Sequence, residues 1–448
     1  MKKILSTTAV IAGWMAFGLA VTPVVHAEKT LEQILLEKGI LTKADIESLK
    51  KSASASSSSD GYRIKTGSKG FQIKSEDGDF DFGVGGRVQT DVNFFFPNNP
   101  NGNGMEVRRV RLKGYGRIYG DWQYKAEIDF AEYSKIDLTD GWLAYTGIKG
   151  WTTKIGHQKV PWSLQSEASS NWQTFQERAQ TDAFIDTSYL GRRRLGMTVQ
   201  YADPLFYGRA GAFAAGINED GGFNQSFGTA FRGLVAPINE KERHFHVGGS
   251  VHYRDLEVTE DTDIELQFKY HPEAHIGGKD PAGRYWIDAK SMNEKSILGG
   301  NAEIAGYWGP LHGQAEYVNM NVERLSGRNS LSFHGAYAQL GYFLTGEHMQ
   351  WKQKAGQWKR VKVLNPVGRG GGLGAWEVAG RFSYLDLVDE DIDGGRARNW
   401  TAALNWWANQ NIMFRLNYVY SDRDPGTSNT AIEHDYVHAV TARAQVVF

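Results

Sequence analysis

Residues 107–130 alternate so regularly that few folds can hold them. Arg109, Arg111, Lys113, Tyr115 and Arg117 fall on one face at period two, and Val110, Leu112, Gly114, Gly116 and Ile118 fall on the other. Gly120-Asp121 then turns the chain. After it Trp122, Tyr124, Ala126, Ile128 and Phe130 share one face, and Gln123, Lys125, Glu127 and Asp129 the opposite one. A water-soluble sandwich would turn the charged side of this hairpin to solvent. A transmembrane barrel would turn the apolar side to lipid and the charged side to its lumen. Four cations of one strand facing lipid would cost roughly 2–4 kcal/mol each near the midplane, so in a barrel they point inward.

The rest of the chain favours the barrel. Lys2 and Lys3, an apolar run from Ala9 to Val21, and Val25-His26-Ala27 read as a secretory leader over residues 1–27. The run is too short for the roughly 20 residues of a membrane anchor. Residues 28–60 read as a short helical segment with a Ser-rich linker. Leu31, Ile34, Leu35, Leu41, Ile46 and Leu49 have helical spacing, and Thr42 with Asp45 resembles a capping box. A helical hairpin and a short oligomerising coil both fit that spacing. Residues 61–448 read as a single β-barrel. There is no cysteine, so neither disulfides nor thiolate metal sites can form. With 50 Lys and Arg, two of them in the leader, against 51 Asp and Glu, the chain without its leader is slightly acidic, which argues against nucleic acid. The 52 Gly, 14 Trp, 20 Tyr and 22 Phe suit short strands joined by polar turns.

Alternating runs recur at 79–96, 106–120, 122–132, 137–146, 151–158, 192–202, 205–217, 228–238, 244–254, 297–308, 311–324, 332–344, 374–386, 397–408, 411–422 and 434–448. They predict a sixteen-stranded antiparallel transmembrane β-barrel of the outer-membrane kind. Short turns gather at one end and longer loops at the other, and the last strand ends on an apolar face with Phe448.

Parity assigns a wall to each charge. The inward face receives Arg109, Arg111, Lys113, Arg117, Lys125, Lys154, Arg192, Arg194, Arg209, Arg232, Arg254, Arg381, Arg415 and Arg443, against Glu127, Asp129, Asp140, Glu303, Glu316 and Glu377. Cations outnumber anions there, although the chain as a whole is acidic. A tube lined in this way focuses potential and concentrates anions, and guanidinium forks match phosphate or carboxylate. Rows of Arg and Lys are the expected wall of an anion pore. The plainer reading is that these arginines brace the barrel against lumenal acids.

Three connections are long. Residues 161–190, after the fifth strand, carry Glu167, Glu177, Asp182 and Asp186 against Arg178 and would temper the positive field if folded inward. Residues 255–296 are also acidic, with an extra strand conceivable at 264–270, and suit a lid over the mouth equally well. Residues 346–372, on the short-turn side, hold Lys352, Lys354, Lys359, Arg360, Lys362 and Arg369 against Glu347. This stretch is either a second set of anion ligands reaching into the lumen or a solvated flap.

Several segments resemble the phosphate-selective porin family, types O and P. They are Glu106-Val-Arg-Arg-Val-Arg-Leu, Tyr119-Gly-Asp-Trp-Gln-Tyr-Lys, Ala144-Tyr-Thr-Gly, Ile155-Gly-His-Gln-Lys-Val-Pro-Trp-Ser-Leu, Gly191-Arg-Arg-Arg-Leu-Gly, Leu344-Thr-Gly-Glu and Gly374-Ala-Trp-Glu-Val. The resemblance runs from about residue 80 to 448. It implies a homotrimer of sixteen-stranded barrels, selective for phosphate or polyphosphate through an arginine ladder and a narrow inner eyelet. It matches the family's Arg-Arg pair to Arg108 and Arg109 and its inward aspartate to Asp140, whereas parity turns Arg108 outward. A basic residue that the family implies in the third external loop falls on Asn171, a departure that widens the expected anion preference.

The function expected from residues and resemblance together is passive uptake of inorganic phosphate or other small anions through the bacterial outer membrane. No cofactor, metal or catalytic residue is expected. Arg108, Arg109, Arg111, Lys113, Arg117, Lys125, Arg192, Arg194, Arg232, Arg381, Arg415 and Arg443 are the candidate anion-binding set, with Asp140, Glu127, Asp129, Lys359, Arg360 and Lys362 modulating a constriction. The alternatives are a general or sugar porin braced by its arginines, and a barrel hydrolase, for which no Ser and His pair stands out. His244, His246 and His252 share a face and read as a lumenal histidine row, since no third metal ligand is in view. Gly368-Arg-Gly-Gly-Gly-Leu-Gly lacks the Lys-Ser/Thr of a phosphate loop.

Overall fold

The computed structural model describes residues 61–448 except 68–69, 98–102, 132–135, 186–189, 215–225, 257–265, 276–284, 291, 369 and 428–433, and before residue 61 only 38, 42 and 44. Apart from those three residues, the expected leader, helical segment and linker therefore lie outside the described residues, as do Asp186 and Arg369. The chain divides into two compact units, residues 1–61 and 62–448.

Sixteen antiparallel strands close the second unit into a barrel. They are β1 (Asp81–Phe96), β2 (Gly104–Ile118), β3 (Trp122–Asp129), β4 (Asp137–Tyr145), β5 (Trp151–Lys159), β6 (Arg193–Ala202), β7 (Phe206–Phe213) and β8 (Gly228–Asn239), then β9 (Arg243–Asp255), β10 (Glu294–Trp308), β11 (Leu311–Arg324), β12 (Leu331–Phe343), β13 (Ala375–Asp389), β14 (Ile392–Trp407), β15 (Ile412–Asp424) and β16 (Tyr436–Val447). Each pairs with its sequence neighbour, and β16 pairs with β1 from His438↔Phe96 to Val447↔Arg87, which leaves no open edge between the first and last strands. The period-two pattern is realised throughout. On β6, for example, Leu195, Met197 and Val199 are exposed on the outer wall while Thr198 is buried.

Aromatic rings ring the outer wall at two levels. Near the short turns stand Trp122 with Tyr145, Trp151 with Tyr201, and Trp376 with Trp406. Nearer the loops, Tyr420 and His438 lie in contact on β15 and β16, beside Trp400 and Phe382 at mid-strand on β14 and β13. Two such girdles flanking an apolar band mark a wall that sits in a bilayer.

Two ladder details escape parity. Strands β13 and β14 continue past their expected limits at 386 and 397, their ladder closing at Asp389↔Ile392, with Arg396 2.8 Å from Asp386 and 3.7 Å from Asp424 at the charged ends. A leading hairpin, Tyr62–Gly67 and Gly70–Ser75, adds to β1 where β16 stops, with Phe71 opposite Val84 and Lys74 opposite Asp81. The end of the chain is fastened at that seam, since Phe448 exchanges both backbone hydrogen bonds with Gly86. A Cβ on Gly86 would lie 2.5 Å from the Arg111 carbonyl oxygen and 2.7 Å from the Phe448 ring. Gly86→Ala is therefore expected to destabilise the barrel by about 1–3 kcal/mol, the usual cost of overpacking, and to lower its urea midpoint; an unchanged midpoint would show that the terminal ring simply moves aside.

The interior is unevenly filled. Loop residues 160–185 fold inward and are almost wholly buried, carrying a single turn of helix, α1 (Leu164–Glu167), capped by the Ser163 hydroxyl. The described residues of the connection between β9 and β10 fold inward too: Leu266, Phe268, Trp286, Ile287 and Met292 pack with Phe184, Phe333 and Leu385 in one apolar cluster, and a two-residue ladder, 269–270 with 287–288, is the only trace of the conceivable extra strand among the described residues. The connection between β12 and β13 enters from the opposite end. Its Trp351, Trp358, Val361 and Val363 pack with Tyr207, Leu234 and Phe343 in a second cluster. Together these segments fill the lumen along β8–β16 and leave open space along β1–β7.

Candidate functional site

That open space is a cavity of about 830 Å³. Among the described residues sixteen lysines and arginines line it, against Asp121, Glu127, Asp140 and Glu167. Its depth runs from the short turns, at Gly120 and Gly150, up to Ser169–Trp172 of the inward loop.

The row Arg109, Arg111, Lys113 and Arg117 of β2 lines it, as inward parity requires. Arg111 donates to Asp129 at 2.6 Å and lies 3.4 Å from Glu127, while Arg117 stands 3.8 Å from Asp81. Lys125 bridges Asp140 at 2.6 Å and Glu127 at 3.1 Å. Arg192 pairs with Asp182 of the loop at 2.6 Å, and Arg193 with Asp140 at 3.3 Å. These cations are part-neutralised. Arg87, Arg109, Lys113 and Lys154 are different: among the described residues none of them forms an ion pair. Arg87 donates to Ser170 Oγ at 3.0 Å and to the Asn171 side-chain oxygen, and Arg109 to Gln89 Oε1 at 3.1 Å. Lys113 and Lys154 lie 5.6 and 4.4 Å from the Tyr115 and Trp142 rings.

Arg108 is turned inward, not outward as parity had it. The β1–β2 register slips between Gln89↔Arg109 and Thr90↔Val107, so Arg108 is the extra residue of a bulge. Its side chain reaches Glu177 of the inward loop at 3.1 Å. Asp140 is inward as parity has it, on the face of Trp142 and Ala144, and a second bulge lies just before it at Thr139. The pairing jumps from Glu127↔Asp140 to Ile128↔Leu138, and Thr139 and Asp140 are both buried.

Other expected ligands are placed away from the cavity. Arg232, Arg381, Arg415 and Arg443 are at most 6% exposed and hold the inward segments to the wall. Arg232 grips Glu303 with both Nε and Nη2, at 2.8 and 2.7 Å, and donates to the Gly356 carbonyl of the β12–β13 connection. Arg381 holds Glu273 of the 256–293 loop and lies over the Phe175 ring at 4.3 Å. Arg415 donates to the Asn171 and Gln173 carbonyls. Arg443 grips Asp91 through two nitrogens, at 2.7 and 2.6 Å, and reaches Glu177 at 2.7 Å. A guanidinium with its fork already filled by a carboxylate has little left for a passing anion. Arg194 packs over Gly191, Asp129 lies beyond the lining with its carboxylate held by Arg111, and Lys359 and Lys362 are not part of the lining. From the β12–β13 connection it is Lys352, Lys354 and Arg360 that line the cavity.

Parity omitted Arg87, Lys159, Arg178 and Arg193 from the lining. Arg87 was legible, since it shares an inward face with Gln89, Asp91 and Asn93. Lys159 and Arg178 depend on how the loop folds. Lys159 donates to the carbonyls of Ser166, Glu167 and Ala168, the end of α1, and Arg178 to those of Gln165 and Ala168. The expected histidine row is inward, with His246 3.2 Å from Glu303, His244 stacked on Trp351 and His246 tilted against the same ring. Among the described residues no cluster of His, Asp and Glu is arranged to hold a metal.

Similar proteins agree with this architecture. An uncharacterised protein of Caulobacter vibrioides is 31% identical over 387 residues, spanning 83% of this chain and 75% of its own. Porin O of Pseudomonas aeruginosa is 27% identical over 413 residues, 85% of this chain and 91% of its own. The solved trimer form of OmpT from Vibrio cholerae superposes with a TM-score of 0.52 at 12% identity, covering 82% of this chain and 99% of that one. An anion-selective porin from Comamonas acidovorans gives 0.50 at 11%, covering 82% and 100%. These likenesses concern the fold. The family model for phosphate-selective porins O and P matches residues 82–448, and with the closed, girdled wall it makes this a porin channel of the bacterial outer membrane. Matched along almost the whole of its barrel, the chain belongs to the phosphate-selective porin O and P family.

Proposed function

We propose that the channel is anion-selective and passes phosphate or related small anions by diffusion. The observation that carries this reading is the quartet Arg87, Arg109, Lys113 and Lys154, which lines the cavity with no carboxylate partner among the described residues. A cation without a counter-charge in a narrow tube adds directly to the potential an anion meets. Arg87 reaches the loop at Asn171, so the loop's acceptor there occupies one guanidinium arm. This supports a broader anion preference than for phosphate alone.

A general porin with bracing arginines is the second reading. It is favoured by Arg232, Arg381, Arg415 and Arg443, which do brace. Planar-bilayer recordings separate the two. In a KCl gradient the reversal potential is expected to show chloride preference, phosphate to block the chloride current, and Arg109→Ala to weaken that block about tenfold, the value of one lost charge-assisted hydrogen bond. Cation preference or none would leave the arginines as braces only. The selectivity is also expected to fall between about 0.1 and 1 M KCl, as the screening length shrinks from about 10 to about 3 Å.

The family and the trimer form of the Vibrio cholerae OmpT support a homotrimer. The short strands β3–β7, 8–10 residues against 12–16 elsewhere, give the wall a low side on which copies could abut.

A further inference from the structure

The inward loop from one end of the barrel and the β12–β13 connection from the other meet inside it. The Arg360 guanidinium lies 4.7 Å from the Trp172 ring. Both residues line the large cavity, and Trp172 also borders a second void of about 20 Å³ on its other side, between the loop and Gln314, Gln339 and Arg381. Trp172 is thus a partition, with Arg360 resting on its face from the cavity side.

The connection that carries Arg360 is held firmly. Trp351 packs against the rings of His244 and His246 at 4.6 and 4.5 Å, Trp358 Nε1 donates to Gln314, and Arg232 donates to the Gly356 carbonyl. The backbone beside Arg360 is therefore fixed, while its side chain lines the same cavity as Lys113 of β2.

We propose that Arg360 exchanges between the face of Trp172 and a passing anion, and that this exchange sets anion affinity in the channel. The exchange rests on the anion-selective reading of the channel. A cation–π contact at a part-exposed site is weaker than the charge-assisted fork of a guanidinium on an oxyanion. The anion therefore displaces the ring, and the ring displaces the anion when the guanidinium returns. Trp172 is a specificity-determining residue that never needs to touch the anion, because it competes for the group that does.

The test is phosphate block of chloride current in single channels of the full-length protein. In the wild type, chloride preference with phosphate block is the premise; its absence would remove the anion reading itself. Given that premise, Arg360→Gln is expected to raise the half-blocking phosphate concentration about tenfold. Trp172→Leu, which keeps bulk and removes the ring, is expected to lower it three- to fivefold, with Trp172→Phe between wild type and Trp172→Leu. The double variant is expected to match Arg360→Gln, since the ring has nothing left to compete for. Shifts of the same sign for Arg360→Gln and Trp172→Leu, no shift in either, or additive effects in the double variant would overturn the exchange while leaving the anion channel standing.

Discussion

Arg443→Met is expected to release the inward loop and raise the single-channel conductance. Arg443 is fully buried between Asp91 of β1 and Glu177 of the loop, and it also donates to the Gln176 carbonyl. Removing one partner of a buried ion pair costs about 3–5 kcal/mol, because a charge is left without compensation. Here two carboxylates lose their shared cation. Glu177 keeps Arg108 at 3.1 Å, but Asp91 keeps no ion partner among the described residues.

The barrel wall is hydrogen-bonded along every strand, whereas residues 171–177 are held mainly by side chains. The cost therefore falls on the loop, which leaves the wall so that both carboxylates can be hydrated. A larger, noisier conductance and new protease cleavage within 171–185 are the readouts. Arg443→Lys should lie between, having charge but no fork. A channel with wild-type conductance would mean that Asp91 and Glu177 are accommodated without the arginine.

Acid offers a second route to the same release. Burial pushes the Glu177 carboxyl up, but Arg108, Arg443 and Arg109 outweigh it and hold it well below the usual range. A depressed carboxyl contributes stability above its unfolded value and loses it as pH falls through its folded value. The clamp should therefore persist through mildly acidic pH and fail only in strong acid.

The brace role of Arg443 shows where sequence reading stops. Its inward direction was legible from Val440, Ala442, Ala444 and Val446 on the opposite face. Whether an inward guanidinium meets an anion or a carbonyl depends on where a loop comes to rest, and that is decided by apolar residues far along the chain, such as Phe184 packing on Phe268. The wall was legible because its period is local and lipid permits no exception to it. The bulges at Arg108 and Thr139 were not, since one inserted residue reverses every parity beyond it. Two adjacent arginines in an otherwise alternating strand were the local sign of the first bulge, and the resemblance to the family's Arg-Arg pair had already pointed to them. The β12–β13 connection was legible as unusually basic, yet which of its cations face the passage followed from Trp351 and Trp358, the two rings that anchor it.

Asp140→Asn is expected to tighten phosphate binding about tenfold or more and to slow its passage. Asp140 accepts from Lys125 and Arg193 and lines the cavity among an excess of cations. Removing its charge leaves Arg193 with no carboxylate partner among the described residues and Lys125 with Glu127 alone. At an effective dielectric of about 20, one charge about 5 Å from an anion is worth about 3 kcal/mol before screening, and a tenfold change needs only about 1.4. Conduction requires that an anion be held strongly enough to enter and weakly enough to leave. The wild-type carboxylate weakens the hold, so its removal should lower the half-blocking phosphate concentration, lengthen each block and reduce the maximal phosphate current. Asp140→Glu should restore wild-type behaviour in part. Looser phosphate binding in Asp140→Asn would give the carboxylate the opposite role, positioning Lys125 and Arg193 as ligands, and the neutral variant would then lose them together.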